Sequence, residues 1–122
     1  MLVDSHCHLN YKGLVEEQPA VLERARQSGV TAMLNISTRE SEWRDIVATA
    51  EREKDVWSSI GIHPHEADSH PDVDLAKLVG EAAHPRVIAI GETGLDYYYD
   101  HSDRERQRQS FRTHIHAARE TG

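Results

Sequence analysis

The chain has 122 residues, enough for one modest domain with a real core and no more. Apolar residues make up 38% and charged residues 29%, the balance of a folded protein rather than a disordered one. Lys and Arg number 14 against 21 acidic residues, a formal net charge of −7 that argues against broad electrostatic adhesion to nucleic acid or anionic membrane. Residues 2–6 read as a first strand and residues 9–13 as the loop that leaves it. Pro19 suits the first turn of a helix whose apolar stripe is Val21, Leu22 and Ala25, with Gly29 as its C-terminal cap. Residues 30–36 form a second strand, apolar enough to be covered on both faces. Ser37 with Glu40, or Ser41 alone, caps the next helix, which carries Trp43, Ile46, Val47 and Ala50 at helical spacing. A third strand runs over 55–62 and a third helix over 72–83. A fourth strand covers 86–91. The last helix opens on a Ser102–Glu105 capping box, runs to about Thr121, and turns Phe111, Ile115 and Ala118 inward.

This β-α-β-α-β-α-β-α order, without linker or low-complexity segment, predicts α/β architecture with parallel strands in one partial domain over residues 1–122. Four such units are half of a (β/α)₈ barrel, which typically needs ~250 residues. The expected fold is therefore (βα)₄, the N-terminal half of a TIM barrel. No run reaches the ~18 apolar residues of a membrane span. The N-terminus lacks the basic and apolar segments of a signal peptide, and Cys7 is the only cysteine, so a reducing cytoplasm fits.

The polar clusters fall where strands end. His6 and His8 leave the first strand on one face, with Cys7 on the other as a small buried hydrophobe. Asn35 and Ser37 end the second strand, His63 and His65 the third, and Glu92, Thr93 and Asp96 the fourth. Ligands of parallel α/β folds bind at those ends. Imidazoles converging with a carboxylate suit a divalent ion such as Zn, Mn, Fe or Mg, with His63 and His65 as substrate or metal contacts. Asp4 is read either as a carboxylate orienting a ligand imidazole or as a strand-end hydrogen-bonding residue. Asp96 is expected to pin the loop at Gly94-Leu95, and Tyr97, Tyr98 and Tyr99 to pack around it. His114 and His116 repeat the His-x-His pattern but lie on a helix, where residues two apart point about 200° from each other, so they cannot clasp one ion. Arg104, Arg106, Arg108 and Arg112 alternate with acids and read as a solvated face.

Four stretches together resemble the signatures of TatD-type metal-dependent deoxyribonucleases. They are Val3-Asp-Ser-His-Cys-His-Leu9, Gly61-Ile-His-Pro-His65, Ile90-Gly-Glu-Thr-Gly-Leu-Asp-Tyr-Tyr98, and the spacing of Gln107, Phe111, His114 and Ala118. The resemblance implies a TIM-barrel hydrolase of the amidohydrolase type that cleaves DNA phosphodiester bonds with two divalent ions, Mg, Mn or Zn. His6 and His8 would bind one ion, Glu92 would be the catalytic carboxylate bridging both, and His63 would line the site. Members of that family continue into further strands bearing two more histidines and an aspartate as ligands, none of which this sequence contains. Reduced activity of the chain alone is the corresponding expectation. The competing expectations are an amidohydrolase acting on C–N bonds, and a non-catalytic half barrel that associates through its open edges.

Overall fold

The computed structural model describes residues 1–122. Four strands, β1 (Leu2–Cys7), β2 (Val30–Asn35), β3 (Val56–Ile60) and β4 (Val87–Ile90), alternate with four helices, α1 (Gln18–Gln27), α2 (Glu40–Arg52), α3 (Leu75–Ala82) and α4 (Arg104–Thr121). Short 3₁₀ turns precede α1 (Val15–Glu17) and follow β3 (Pro64–Ser69). All neighbouring strands pair in parallel, in the order β1-β2-β3-β4. Strand order that follows chain order is the winding of a barrel wall; a doubly wound sheet would reverse direction at a switch point.

The helices share one face of this sheet. Val56 and Ile60 of β3 are four residues apart, so their side chains point the same way. Val56 is fully buried with Leu22 of α1, Met33 of β2 and Ala50 of α2. Ile60 is fully buried with Trp43 of α2, Leu78 of α3, Val87 of β4 and Ala117 of α4. The other face carries no helix, and Ile88 of β4 stands 60% exposed on it. The sequence suggested that β2 would be covered on both sides. Instead Leu34 is only half-buried, because winding in one sense places every crossover on the same side.

Three local expectations are corrected. The start of α2 uses Thr38 and Glu42: Thr38 N–H and Oγ1 both donate to Glu42 Oε2, at 3.0 and 2.9 Å. Ser37 takes no part in that start, since its hydroxyl is engaged elsewhere. The cap of α4 is Asp103, whose side chain accepts from Glu105 and Arg106 N–H, one residue beyond the expected Ser102. Ser102 Oγ is used to donate to His65 O at 2.8 Å and to accept from Asp68 N–H at 3.1 Å. The buried stripe of α4 is Gln107, His114 and Ala117, whereas Ile115 is 44% exposed. Polar residues at core positions hid that stripe, and each is satisfied there. Gln107 bonds to Asp96 N–H and to the carbonyls of Asp96 and Ser102, so Asp96 is held in its loop as expected. His114 accepts from Ile62 N–H at 2.9 Å through Nε2 and donates to Ser110 O at 2.7 Å through Nδ1.

Candidate metal centre

The exit of β2 is the frame on which the site is assembled. Its three successive carbonyls, Ile36, Ser37 and Thr38, accept from three different strand ends. Ile36 O lies 3.2 Å from His8 Nδ1, Ser37 O accepts from Glu92 N–H at 2.9 Å, and Thr38 O accepts from His63 N–H at 2.8 Å. Ser37 Oγ, fully buried, donates to Gly91 O at 3.0 Å, which fixes the peptide just before Glu92. Gly61 completes the fit. A Cβ on Gly61 would stand 2.4–2.6 Å from the backbone of Gly91, so only glycine lets the ends of β3 and β4 approach this closely.

On this frame His6, His8 and Glu92 come together. His6 Nε2 and His8 Nε2 are 3.2 Å apart, and they lie 3.4 and 3.8 Å from Glu92 Oε2. The residues come from β1 and β4, the two edges of the sheet. In a flat sheet three strand spacings of ~4.8 Å would hold those edges on the order of 14 Å apart. The sheet curls toward closure at its carboxyl end, since Glu92 N–H beyond β4 bonds directly to Ser37 O beyond β2, past the intervening β3. A carbonyl can only accept, so the bond to Ile36 O places the proton of neutral His8 on Nδ1 and leaves a lone pair on Nε2, aimed at His6 and Glu92. One donor atom from each of the three residues lies within 4.8 Å of the others, a set fit to grip a divalent ion.

The third strand contributes a donor of another kind. His63 Nδ1 accepts from His65 N–H at 3.0 Å, so neutral His63 carries its proton on Nε2, 3.5 Å from Glu92 Oε1. Burial pulls the His63 imidazole below its ordinary range, and the nearby Glu92 charge opposes that. His65 turns to a different carboxylate, with Nε2 bonded to Asp96 Oδ2. Asp96 Oδ1 accepts from the N–H groups of Tyr98 and Tyr99, both at 3.0 Å. Those two bonds, Tyr99 first, and His65 hold the Asp96 carboxyl below the usual carboxylate range. His63 and His65 thus meet edge-on at 4.3 Å yet reach different carboxylates, where Pro64 opens the 3₁₀ turn. Asp4 takes the hydrogen-bonding alternative, inside β1 rather than at its end: its Oδ1 accepts from His6 N–H at 3.1 Å. Cys7 points away, donating to Leu34 O at 3.3 Å, and burial with help from Asp4 pushes its thiol up to about 12. His114 is buried and His116 exposed, apart from each other and from the site.

A model of the TatD related DNase family matches residues 3–122. The chain belongs to that family. A TatD metal-dependent hydrolase of Mycobacterium tuberculosis, itself uncharacterised, is 34% identical over 99% of this chain and 48% of its own length. The 3'-5' ssDNA/RNA exonuclease TatD of Musicola paradisiaca is 35% identical over 99% of the chain and 46% of its own. The crystal structure of YjjV, a TatD homologue from Escherichia coli K12, superposes with a TM-score of 0.90 at 29% identity, covering 98% of this chain and 47% of that one. The chain therefore spans about half the length of the relatives it matches, and its four parallel βα units match the N-terminal half of TatD barrels. No helix is long and apolar enough to cross a membrane.

Tyr11 carries no mark in the sequence as a neighbour of this centre, and Asn35 is marked there only as a strand-end residue, without its partner. The Tyr11 ring stacks on His8 at 4.3 Å and 12°, and Asn35 Oδ1 accepts from Leu9 N–H at 3.0 Å to hold the loop after His8. An aromatic three residues beyond His8 and an asparagine at a strand end were the available signals. Neither residue type singles out that role.

Proposed function

We propose that the chain carries the N-terminal share of a metal-dependent phosphodiesterase site acting on DNA or a related nucleic acid. The observation that carries this reading is the convergence of His6 Nε2, His8 Nε2 and Glu92 Oε2 at one point. A divalent ion bound by them supplies Lewis acidity toward a phosphoryl oxygen and toward water. The residues do the rest. Ile36 O fixes the tautomer that lets His8 ligate, Ser37 aims Glu92, and His63 Nε2–H is directed into the site, where it can donate to an anionic phosphoryl oxygen. His65, held by Asp96, contacts the substrate beyond His63. A second ion would find little besides Glu92 in this chain, so one ion would be held loosely and a second hardly at all. Self-association through the uncovered sheet is part of the same reading. The name of the Musicola relative, an exonuclease of single-stranded DNA and RNA, supports the substrate class.

The test is calorimetry with Mn²⁺ alongside cleavage assays on single-stranded DNA and on a cyclic amide. Mn²⁺ binding that falls about 100-fold or more in His8→Ala and Glu92→Gln, at unchanged circular dichroism, is expected, since even outer-shell changes cost roughly 10–100-fold. Metal-dependent turnover of the amide but not of DNA would instead favour C–N bond hydrolysis.

A further inference from the structure

Beyond Asp96 the chain displays aromatic rings that neither the fold nor the metal centre uses. Tyr97 behaves as expected of a packing residue: Arg104 lies 4.5 Å over its ring, and its hydroxyl accepts from Arg108 at 3.1 Å. Tyr98 and Tyr99 do not. They are 88% and 64% exposed, although their backbone N–H groups are both anchored on Asp96. The anchoring makes them a displayed surface rather than a loose tip. Tyr98 meets Tyr99 edge-on at 4.8 Å, Tyr99 lies parallel to His101 at 5.8 Å, and His65 meets His101 at 4.6 Å and Tyr99 at 5.7 Å. His65 in turn touches the His63 ring at 4.3 Å, and His63 faces Glu92. A continuous run of rings thus leads outward from the proposed phosphodiester site.

We propose that Tyr98, Tyr99 and His101, backed by His65, form a stacking ledge for the unpaired bases of a single-stranded nucleic acid whose phosphodiester sits at Glu92. This rests on the phosphodiesterase reading and adds to it the surface on which the bases of the strand are held. Flat rings suit bases because every base has a π-face, and stacking is tolerant of sequence. A paired, stacked duplex offers such faces only where its end is frayed. The ledge has little to attract phosphate: Arg104 and Arg108 nearby are paired with Asp100 and Glu105. Its contribution is base contact, complementing the ion-dependent hold on the backbone.

Fluorescence anisotropy of the 122-residue chain with Mn²⁺ tests this, using a labelled phosphorothioate-linked hexathymidylate and the same hexamer with abasic sites. The base-bearing strand is expected to bind about tenfold or more tightly, since each stacked base is worth ~1–3 kcal/mol. Tyr98→Ala and Tyr99→Leu should each remove most of that difference without changing abasic affinity. Tyr98→Phe should keep it, because the ring face and not the hydroxyl stacks. Equal binding of the two strands, binding of neither, or a difference that survives both substitutions overturns the proposal. So does a change of sedimentation in the tyrosine variants without loss of base dependence, which would make the ledge a contact between copies. Failure of the phosphodiesterase reading looks different: abasic binding indifferent to Mn²⁺ and to His8→Ala.

Discussion

His114 shows how a histidine outside the centre shapes the molecule around it. Its two nitrogens close two hydrogen bonds in the core, and Nε2 can accept from Ile62 N–H only while unprotonated. Burial holds its pKa below the ordinary 6.5, with the Ser110 carbonyl opposing. The unfolded chain therefore takes up the proton first as pH falls. The His114 contribution to stability is full above about pH 6.5 and is lost as pH falls toward the folded value. Urea unfolding at pH 7.5 and 5.5 should show a drop in the native chain that is smaller in His114→Gln. His114→Ala should cost about 1–3 kcal/mol by stranding Ile62 N–H, yet leave Mn²⁺ stoichiometry unchanged. The helical splay of His114 and His116 was readable from their spacing. That His114 is a core residue was not, because the N–H it accepts from, Ile62, lies past a strand end 52 residues away in sequence.

Among the elements, the loop ends decide the site, and glycine is the critical residue at β3. Gly61→Ala places a methyl group against rigid backbone at Gly91, so one strand end must shift. A destabilisation of about 1–3 kcal/mol is expected from urea unfolding, the usual cost of overpacking. Weaker Mn²⁺ binding should accompany it, because the peptide that moves carries Glu92. Short apolar runs made all four strands legible and apolar residues at helical spacing all four helices, with edges displaced by a few residues. The His6/His8 pair was legible because a strand puts alternate residues on one face. The scaffold was not. Ile36, Ser37 and Thr38 act through main-chain carbonyls, which leave no mark on residue type. Likewise Asp103 displaced Ser102 as cap only because His65 and Asp68 claim the serine from elsewhere in the fold.

For the whole molecule, the sheet has one dressed face and one bare one. Ile88 on β4 and Leu2 and Val3 on the β1 edge are 58–65% exposed, an apolar margin beside unpaired strand edges. Concentration-dependent sedimentation is expected for residues 1–122, reduced in Ile88→Lys; monomeric behaviour at all concentrations would count against it. The curl that joins β1 to β4 has one more consequence. Ligands drawn from the first and last strands exist as a set only when the intervening two are in place, so an ion cannot be gripped by a partly assembled sheet. Occupancy and folding become a single linked equilibrium, and Mn²⁺ at a hundred times its dissociation constant should add about 2.7 kcal/mol to the unfolding free energy. The increment should vanish in His8→Ala. The ion would then act as a clasp whose closing reports that all four strands have docked.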